Sequence, residues 1–152
     1  MVRPEIFAVP EGISVEEHIS RLRAIRHEYI SLILRVWSLQ PDGTKVPLDA
    51  LVDTGCEVNL IRAGLVPQNY FSPSTVRIRL VNASGEALGG GAQQVKLNLQ
   101  VQGYEVTEVS PPPSRILGFE TIFYEADISV DIILSYKWLY EYDINIFLEN
   151  MV

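Results

Sequence analysis

Apolar and polar residues alternate along much of this chain, a pattern typical of β-strands with one buried face. Residues 29–37 are instead rich in β-branched and aromatic residues, which also favours a strand. Pro41-Asp42-Gly43 follows and predicts a hairpin turn into a returning strand at 46–52, because proline presets φ and glycine tolerates positive φ. Further turns are expected at 82–85 and 102–103, and loops at 89–91 and 111–113. The pattern is mostly β and favours a barrel or a sandwich. The predicted strands are 29–37, 46–52, 75–81, 95–101, 104–109, 116–124, 130–134 and 144–147.

Two stretches have helical features. Ser14 and Glu17 have the spacing of a capping box, and apolar residues follow at helical spacing, so a helix is expected from Val15 to about His27. A second helix of one or two turns is expected at 138–142. The segment 1–10 is short, contains two prolines and is interpreted as an arm.

Composition narrows the possible partners and cofactors. The 152 residues carry a formal net charge of −7, the opposite of what binding to a phosphate backbone favours, so nucleic acid is not expected as a partner. With one cysteine, Cys56, and with His18 and His27 nine positions apart, neither a disulfide nor a metal site is expected, and no cofactor is implied. The sequence lacks a membrane-spanning apolar run and a signal-peptide layout, which predicts a single cytoplasmic domain.

One stretch carries candidate chemistry. An apolar strand runs directly into Asp53-Thr54-Gly55 and a second apolar segment follows. A carboxylate at the end of a buried strand is costly unless it is used or satisfied, and the glycine permits close approach of another backbone or a ligand. On these three residues alone, a strand-ending turn without function is the more frequent outcome.

The flanking residues resemble the active-site segment of the retropepsin family, the aspartic proteases of retroviruses and retrotransposons. Residues 50–61 match its pattern of a hydrophobic pair, Asp-Thr-Gly-Cys, polar residues and two apolar ones. Residues 130–139, Val-Asp-Ile-Ile-Leu-Ser-Tyr-Lys-Trp-Leu, are similar to the family's second motif, most of all in its gypsy-type retrotransposon form. Residues 80–86, Leu-Val-Asn-Ala-Ser-Gly-Glu, occupy the place of the family's flap hairpin. The resemblance covers about residues 29–147.

The resemblance implies a small closed β-barrel of the retropepsin type, with an N-terminal helix and one short C-terminal helix. It divides the chain into an arm and helix, 1–28, and a protease domain, 29–152. It also implies peptide hydrolysis by two aspartates that share one proton around a water molecule. This chain has one Asp-Thr-Gly, so the second aspartate should be Asp53 of another copy in a homodimer.

By the same resemblance, Asp53, Thr54 and Gly55 are the catalytic residues, with Thr54 bracing the pair. Residues 82–86 form the substrate-binding flap, within a hairpin of about 80–91. A peptide or polyprotein substrate would lie extended between the catalytic loop and this hairpin as an added strand. Cys56 has no nearby histidine in the sequence and is expected to be a small buried side chain.

One position departs from the family. Ser135 replaces the glycine that usually follows the apolar triplet of the second motif. Two alternatives to a protease therefore stay open. One is a catalytically inactive retropepsin-like module for dimerisation or peptide binding, and the other is an unrelated β-barrel binding domain with a chance Asp-Thr-Gly.

Overall fold

The computed structural model describes residues 5–25, 31–104 and 114–144. Within them the chain is mostly β, with one helix near each end, as the sequence predicts. The predicted loop at 111–113 and most of the predicted strands 104–109 and 144–147 lie outside the described residues. The strands are β1 (Ile6–Pro10), β2 (Ser31–Leu39), β3 (Lys45–Asp53), β4 (Leu60–Arg62), β5 (Ser72–Pro73), β6 (Ile78–Asn82), β7 (Gly90–Tyr104), β8 (Ser114–Ala126) and β9 (Ile132–Ser135), and the helices are α1 (Val15–Ile25) and α2 (Tyr136–Glu141).

The first hairpin forms as predicted. β2 and β3 pair antiparallel along their whole length, and Gly43 closes the turn with φ of 88°. The Asp42 carboxylate accepts hydrogen bonds from the Thr44 N–H at 3.0 Å and from the Thr44 hydroxyl at 2.6 Å, which fixes the turn locally. Asp53 is the last residue of β3 and therefore lies at the end of this hairpin.

Six strands close into a ring in the order β2-β3-β9-β4-β8-β7, with β7 pairing back to β2. β9 is inserted between β3 and β4, the strands that lead into and out of the Asp53 segment. It runs parallel to β3 and antiparallel to β4. The second sequence motif therefore lies directly beside the first.

The main core fills the ring with alternate side chains of its strands, as half-buried strands require. Trp138 of α2 closes this core; its indole N–H donates to the Thr121 hydroxyl at 3.2 Å, and its ring meets those of Phe119 and Tyr142 edge to face. The buried members of the cluster are Val36, Leu48, Ala50, Val52, Ile61, Val66, Val95, Leu97, Leu99, Phe123, Ile132, Leu134 and Trp138.

A second layer covers one side of the ring. β1 and β6 form a two-stranded antiparallel sheet, and α1 packs on it through Ile19 against Phe7 and Val9. Ser14 caps α1 by accepting the Glu17 N–H at 3.3 Å, as predicted, while the Glu17 carboxylate pairs with Arg21. The interpretation of residues 1–10 as an arm is wrong for 6–10, because four consecutive apolar residues there bury themselves in a strand.

Two predicted interruptions of the sheet are also wrong. β7 runs without a break through Gln102 and Gly103, which pair with Ile116 and Arg115 instead of turning. Gly90 and Gly91 belong to β7 and not to a loop. Gly90 has φ of 119°, and a Cβ there would lie 2.2 Å from the Glu125 carbonyl oxygen, so close strand approach requires glycine.

No helix in the part of the chain that the structure describes is both long and apolar enough to cross a membrane.

Candidate functional site

The Asp53 loop is a tight turn at the end of β3. The Asp53 side chain is buried, and one of its carboxylate oxygens accepts the Gly55 N–H at 2.8 Å. The Cys56 N–H donates to the Asp53 carbonyl oxygen at 3.1 Å and completes the turn. Asp53, Thr54 and Gly55, predicted as the catalytic residues, are therefore consecutive in one loop whose geometry is fixed by its own hydrogen bonds.

β9 supports this loop from one side. Ser135, its last residue, is the parallel partner of Asp53 and is fully buried. The side-chain carbonyl of Asn59 accepts the Ser135 N–H at 2.9 Å and the Ser135 hydroxyl at 3.0 Å. The same hydroxyl accepts the Trp138 N–H at 3.4 Å and caps α2.

Ser135 is thus accommodated where the retropepsin pattern has glycine. Its hydroxyl is satisfied by Asn59 and by the start of α2, so the polar group incurs little burial penalty. The serine leaves β9 in register with β3 up to Asp53.

Cys56 is fully buried beside the loop, as expected of a small packing residue. Burial raises the pKa of its thiol, and the charges of Asp53 and Glu57 act in the same direction. The thiol donates to the Val58 carbonyl oxygen at 3.1 Å. A thiol held protonated in this way is unsuited to nucleophilic chemistry.

Glu57 is a buried carboxylate that joins three separate elements. One of its oxygens accepts the Ala8 N–H of β1 at 2.8 Å and lies 2.8 Å from Nε2 of His18 on α1. The other lies 3.4 Å from Nζ of Lys137 on α2. These partners are 39 to 80 positions away in the sequence, so the residues next to Glu57 do not indicate them.

The predicted flap residues, 82–86, form a hydrogen-bonded turn. The Asn82 side-chain carbonyl accepts the N–H groups of Ser84 and Glu86, and Gly85 has φ of 81°. The turn tip, which includes Ala83, lies next to Val15 at the start of α1, since a Cβ at Gly85 would meet the Val15 side chain at 3.5 Å. The structure does not bring this turn directly onto the Asp53 loop.

β1 separates the two. Ile6 pairs with Asn82 of β6 on one edge and forms a parallel bridge with Cys56 on the other. Two strand spacings, about 10 Å, therefore lie between the backbone of β6 and that of the Asp53 loop. The role of β1 at this site was not predicted from the sequence.

Two further aspartates, at the end of the β3–β9 pairing that is farther from Asp53, have structural partners. Asp131 accepts the Asp49 N–H at 2.9 Å and Arg62 at 2.8 Å, so it ties together β3, β4 and the start of β9. Burial acts to raise the pKa of Asp131, but these hydrogen bonds and the Arg62 charge outweigh it and leave the pKa below its usual value. The Asp49 carboxylate is exposed and pairs with Arg35 at 3.0 Å.

The described residues contain no group of three or more His, Cys, Asp and Glu side chains able to hold a metal ion. Comparison with known proteins gives no match to a family model, a curated protein or a solved structure.

Proposed function

We propose that the protein is a retropepsin-like aspartic endopeptidase that is active as a homodimer, with one Asp53 from each copy. The observation that carries this proposal is the arrangement around Asp53. A buried carboxylate stands at the end of β3 in an Asp-Thr-Gly turn, and β9 with the second motif is inserted between the strands that flank this turn. The six-stranded ring is compatible with the small barrel that the resemblance implies.

One carboxylate cannot perform this reaction alone. Two carboxyl groups about 3 Å apart share one proton, because both cannot ionise readily at that distance. The ionised Asp53 takes a proton from water as the water oxygen bonds to the amide carbon, and the protonated Asp53 of the other copy donates to the carbonyl oxygen. The Asp53 that took the water proton then passes it to the amide nitrogen, and the C–N bond breaks as the C=O bond re-forms and returns its proton to the other Asp53, giving a carboxylic acid and an amine.

The remaining roles follow from the resemblance alone. Thr54 would brace the paired loops across the two-fold axis, and Gly55 would let them approach. The substrate would be an extended peptide segment of a polyprotein, of the kind that retrotransposons encode. No cofactor enters this mechanism.

The test compares two isosteric variants. Asp53→Asn keeps the size of the side chain but removes a carboxylate from each half of the site, so cleavage of a peptide library, read by mass spectrometry, should fall at least about 10³-fold. Asp49→Asn is the matched control, because this exposed carboxylate four residues upstream pairs with Arg35 at the surface. Its cleavage rate should stay within about twofold of wild type.

Circular dichroism and sedimentation should show that both variants keep the fold and the dimer. Cleavage by Asp53→Asn at the wild-type rate would contradict the proposal.

The burial of Asp53 favours a second candidate, a catalytically inactive module that dimerises or binds peptides. Asp53 has 0% of its surface exposed, so neither water nor a peptide reaches it in the described conformation. This candidate predicts a dimer that binds extended peptides and releases no cleavage product with any library.

A further inference from the structure

β1 lies between the two parts of the site that a substrate would contact. On one side it faces the Asp53 loop, and on the other it pairs antiparallel with β6, the first strand of the predicted flap hairpin. Successive residues of a strand direct their N–H and C=O groups to opposite edges. β1 uses both edges in this way.

The edge toward the Asp53 loop makes three hydrogen bonds. The Ile6 N–H donates to the Gly55 carbonyl oxygen at 3.2 Å, and the Glu57 N–H donates to the Ile6 carbonyl oxygen at 3.0 Å. Two residues on, the Ala8 N–H donates to the Glu57 carboxylate at 2.8 Å. The first two contacts involve backbone atoms alone, so any extended peptide could make them.

The opposite edge faces β6. Phe7 is paired with Val81 and Val9 with Arg79, the two positions whose backbone groups point away from the loop. An extended segment therefore completes a continuous hydrogen-bonded layer from the loop to the predicted flap. This is the arrangement expected of a peptide bound as an added strand.

Side chains of β1 alternate between two apolar clusters. Ile6 and Ala8 point into a pocket beside the loop whose other buried members are Leu51, Cys56, Leu60, Leu80, Ala126 and Ile133. Phe7 and Val9 point instead toward Val81 and toward Ile19 of α1. The pocket beside the loop thus receives one aliphatic and one small residue, two positions apart.

We propose that the space between the Asp53 loop and β6 is a binding groove for extended peptides, and that β1 occupies it in cis as a pseudosubstrate. The ligand class is an extended segment with an aliphatic residue at the Ile6 position and a small residue at the Ala8 position. The inference rests on the proposed function, since it assigns the substrate groove and its control to the same site. Substrate reaches Asp53 only after β1 has left.

A covalent tether tests this directly. Pro10 and Ile78 are cross-strand partners and both are half-buried. Directly opposed antiparallel residues have Cα atoms about 4.5–5.5 Å apart, within the range of a disulfide. The full-length double variant Pro10→Cys/Ile78→Cys should lock β1 in the groove when oxidised, whereas in the reduced form β1 can leave and return, so each form is the control for the other. Wild type with and without reductant controls for Cys56.

The binding probe is a fluorescent peptide with the sequence of residues 5–11, Glu-Ile-Phe-Ala-Val-Pro-Glu, followed by anisotropy. In the reduced form the cis segment competes with the peptide at an effective concentration near the millimolar range, but it can be displaced. The disulfide removes the open state, so the oxidised form should bind the peptide at least about tenfold more weakly than the reduced form. The same peptide with Ile6→Asp should not bind, since it would place a charge in the apolar pocket. Equal binding of the original peptide to both forms would overturn the proposal.

A second variant opens the groove. Ala8→Pro removes the N–H that donates to Glu57 and should raise peptide affinity at least about tenfold over wild type. Failure of this variant and of the reduced double variant to bind the peptide would also overturn the proposal. Tether-dependent binding without cleavage in any form would support the groove and its occupant while overturning the protease proposal.

Discussion

The ring and the layer that covers it are built differently. Each of the six ring strands is paired on both edges, and a continuous core fills the interior. The covering layer has two strands and one helix, and its small cluster around Phe7 and Val9 lies apart from the main core. β1 meets the ring at the Cys56 bridge, at Glu57 and in the pocket beside the loop.

Because of this difference, we expect the covering layer to open more readily than the ring. Local opening requires less free energy than global unfolding where a segment has few ladder partners and a small cluster of its own. The ring can therefore hold the Asp53 loop in place while β1 and α1 move. If the proposals are correct, the ring supplies the catalytic geometry and the covering layer controls access to it.

The largest expected effect on this comparison comes from Glu57→Gln. The amide keeps its shape but loses the charge that faces His18 and Lys137, and hydrogen bonds to a charged group contribute about 1.5–3 kcal/mol. We expect hydrogen exchange of the Ala8 amide to accelerate about tenfold or more. Amides of the ring at Leu97 and Leu99 should exchange at wild-type rates.

Glu120→Gln is the matched control. Glu120 is an exposed glutamate of β8 that pairs with Lys96 at 3.5 Å, so its replacement should alter neither set of amides by more than about twofold. Equal acceleration in β1 and in the ring after Glu57→Gln would show that the two regions open together, contrary to the account.

A smaller effect is expected within the ring, from Asp131. Its folded-state pKa is lowered, so its contribution to stability is present above the unfolded pKa of about 3.9 and is lost as the pH falls through the folded pKa. Asp131→Asn should lower the free energy of unfolding by about 1 kcal/mol at pH 7. The difference from wild type should vanish in strong acid.

Urea denaturation at pH 7 and at a series of acidic pH values measures this change. Asp127→Asn, at an exposed aspartate between β8 and β9, is the control and should follow the wild-type pH profile. If the free energies of unfolding of Asp131→Asn and wild type differed by the same amount at every pH, the role assigned to the Asp131 carboxylate would be contradicted.

Local signals predicted much of the ring. Enrichment in β-branched and aromatic residues located β2, and alternation located β6 and the middle of β7. Pro41-Asp42-Gly43 predicted the turn that leads from β2 into β3, and Gly43 has the positive φ that this turn needs. The capping residue Ser14 located the start of α1. These features depend on neighbours in sequence, which is why sequence reasoning reaches them.

The structural features that the sequence did not predict depend on residues far away in the chain. β1 is stable as a strand because it pairs with residues 68 to 76 positions away, although Ile6-Phe7-Ala8-Val9 is an apolar run that could have suggested a buried strand. Gly90 enters β7 because the Glu125 backbone leaves no room for a side chain. Neither the approach of β8 nor the pairing with β6 can be inferred from the residues nearby.

The same limit applies to the candidate site. The residues Asp53, Thr54 and Gly55 are evident from the motif, and Ser135 was singled out as the departure from it. The motif does not reveal that the Ser135 hydroxyl caps α2 or that Ile6 bridges to Cys56. The role of Glu57 also depended on three elements that only the fold brings together.

The central claim is that each chain supplies half of an active site through Asp53. The most direct test measures cleavage of a fixed peptide while wild-type protein is replaced by Asp53→Asn at constant total concentration, after subunit exchange. A site made of two Asp53 residues predicts activity proportional to the square of the wild-type fraction, so an equal mixture retains about one quarter of the rate. A linear decline, with about one half retained, would contradict the claim.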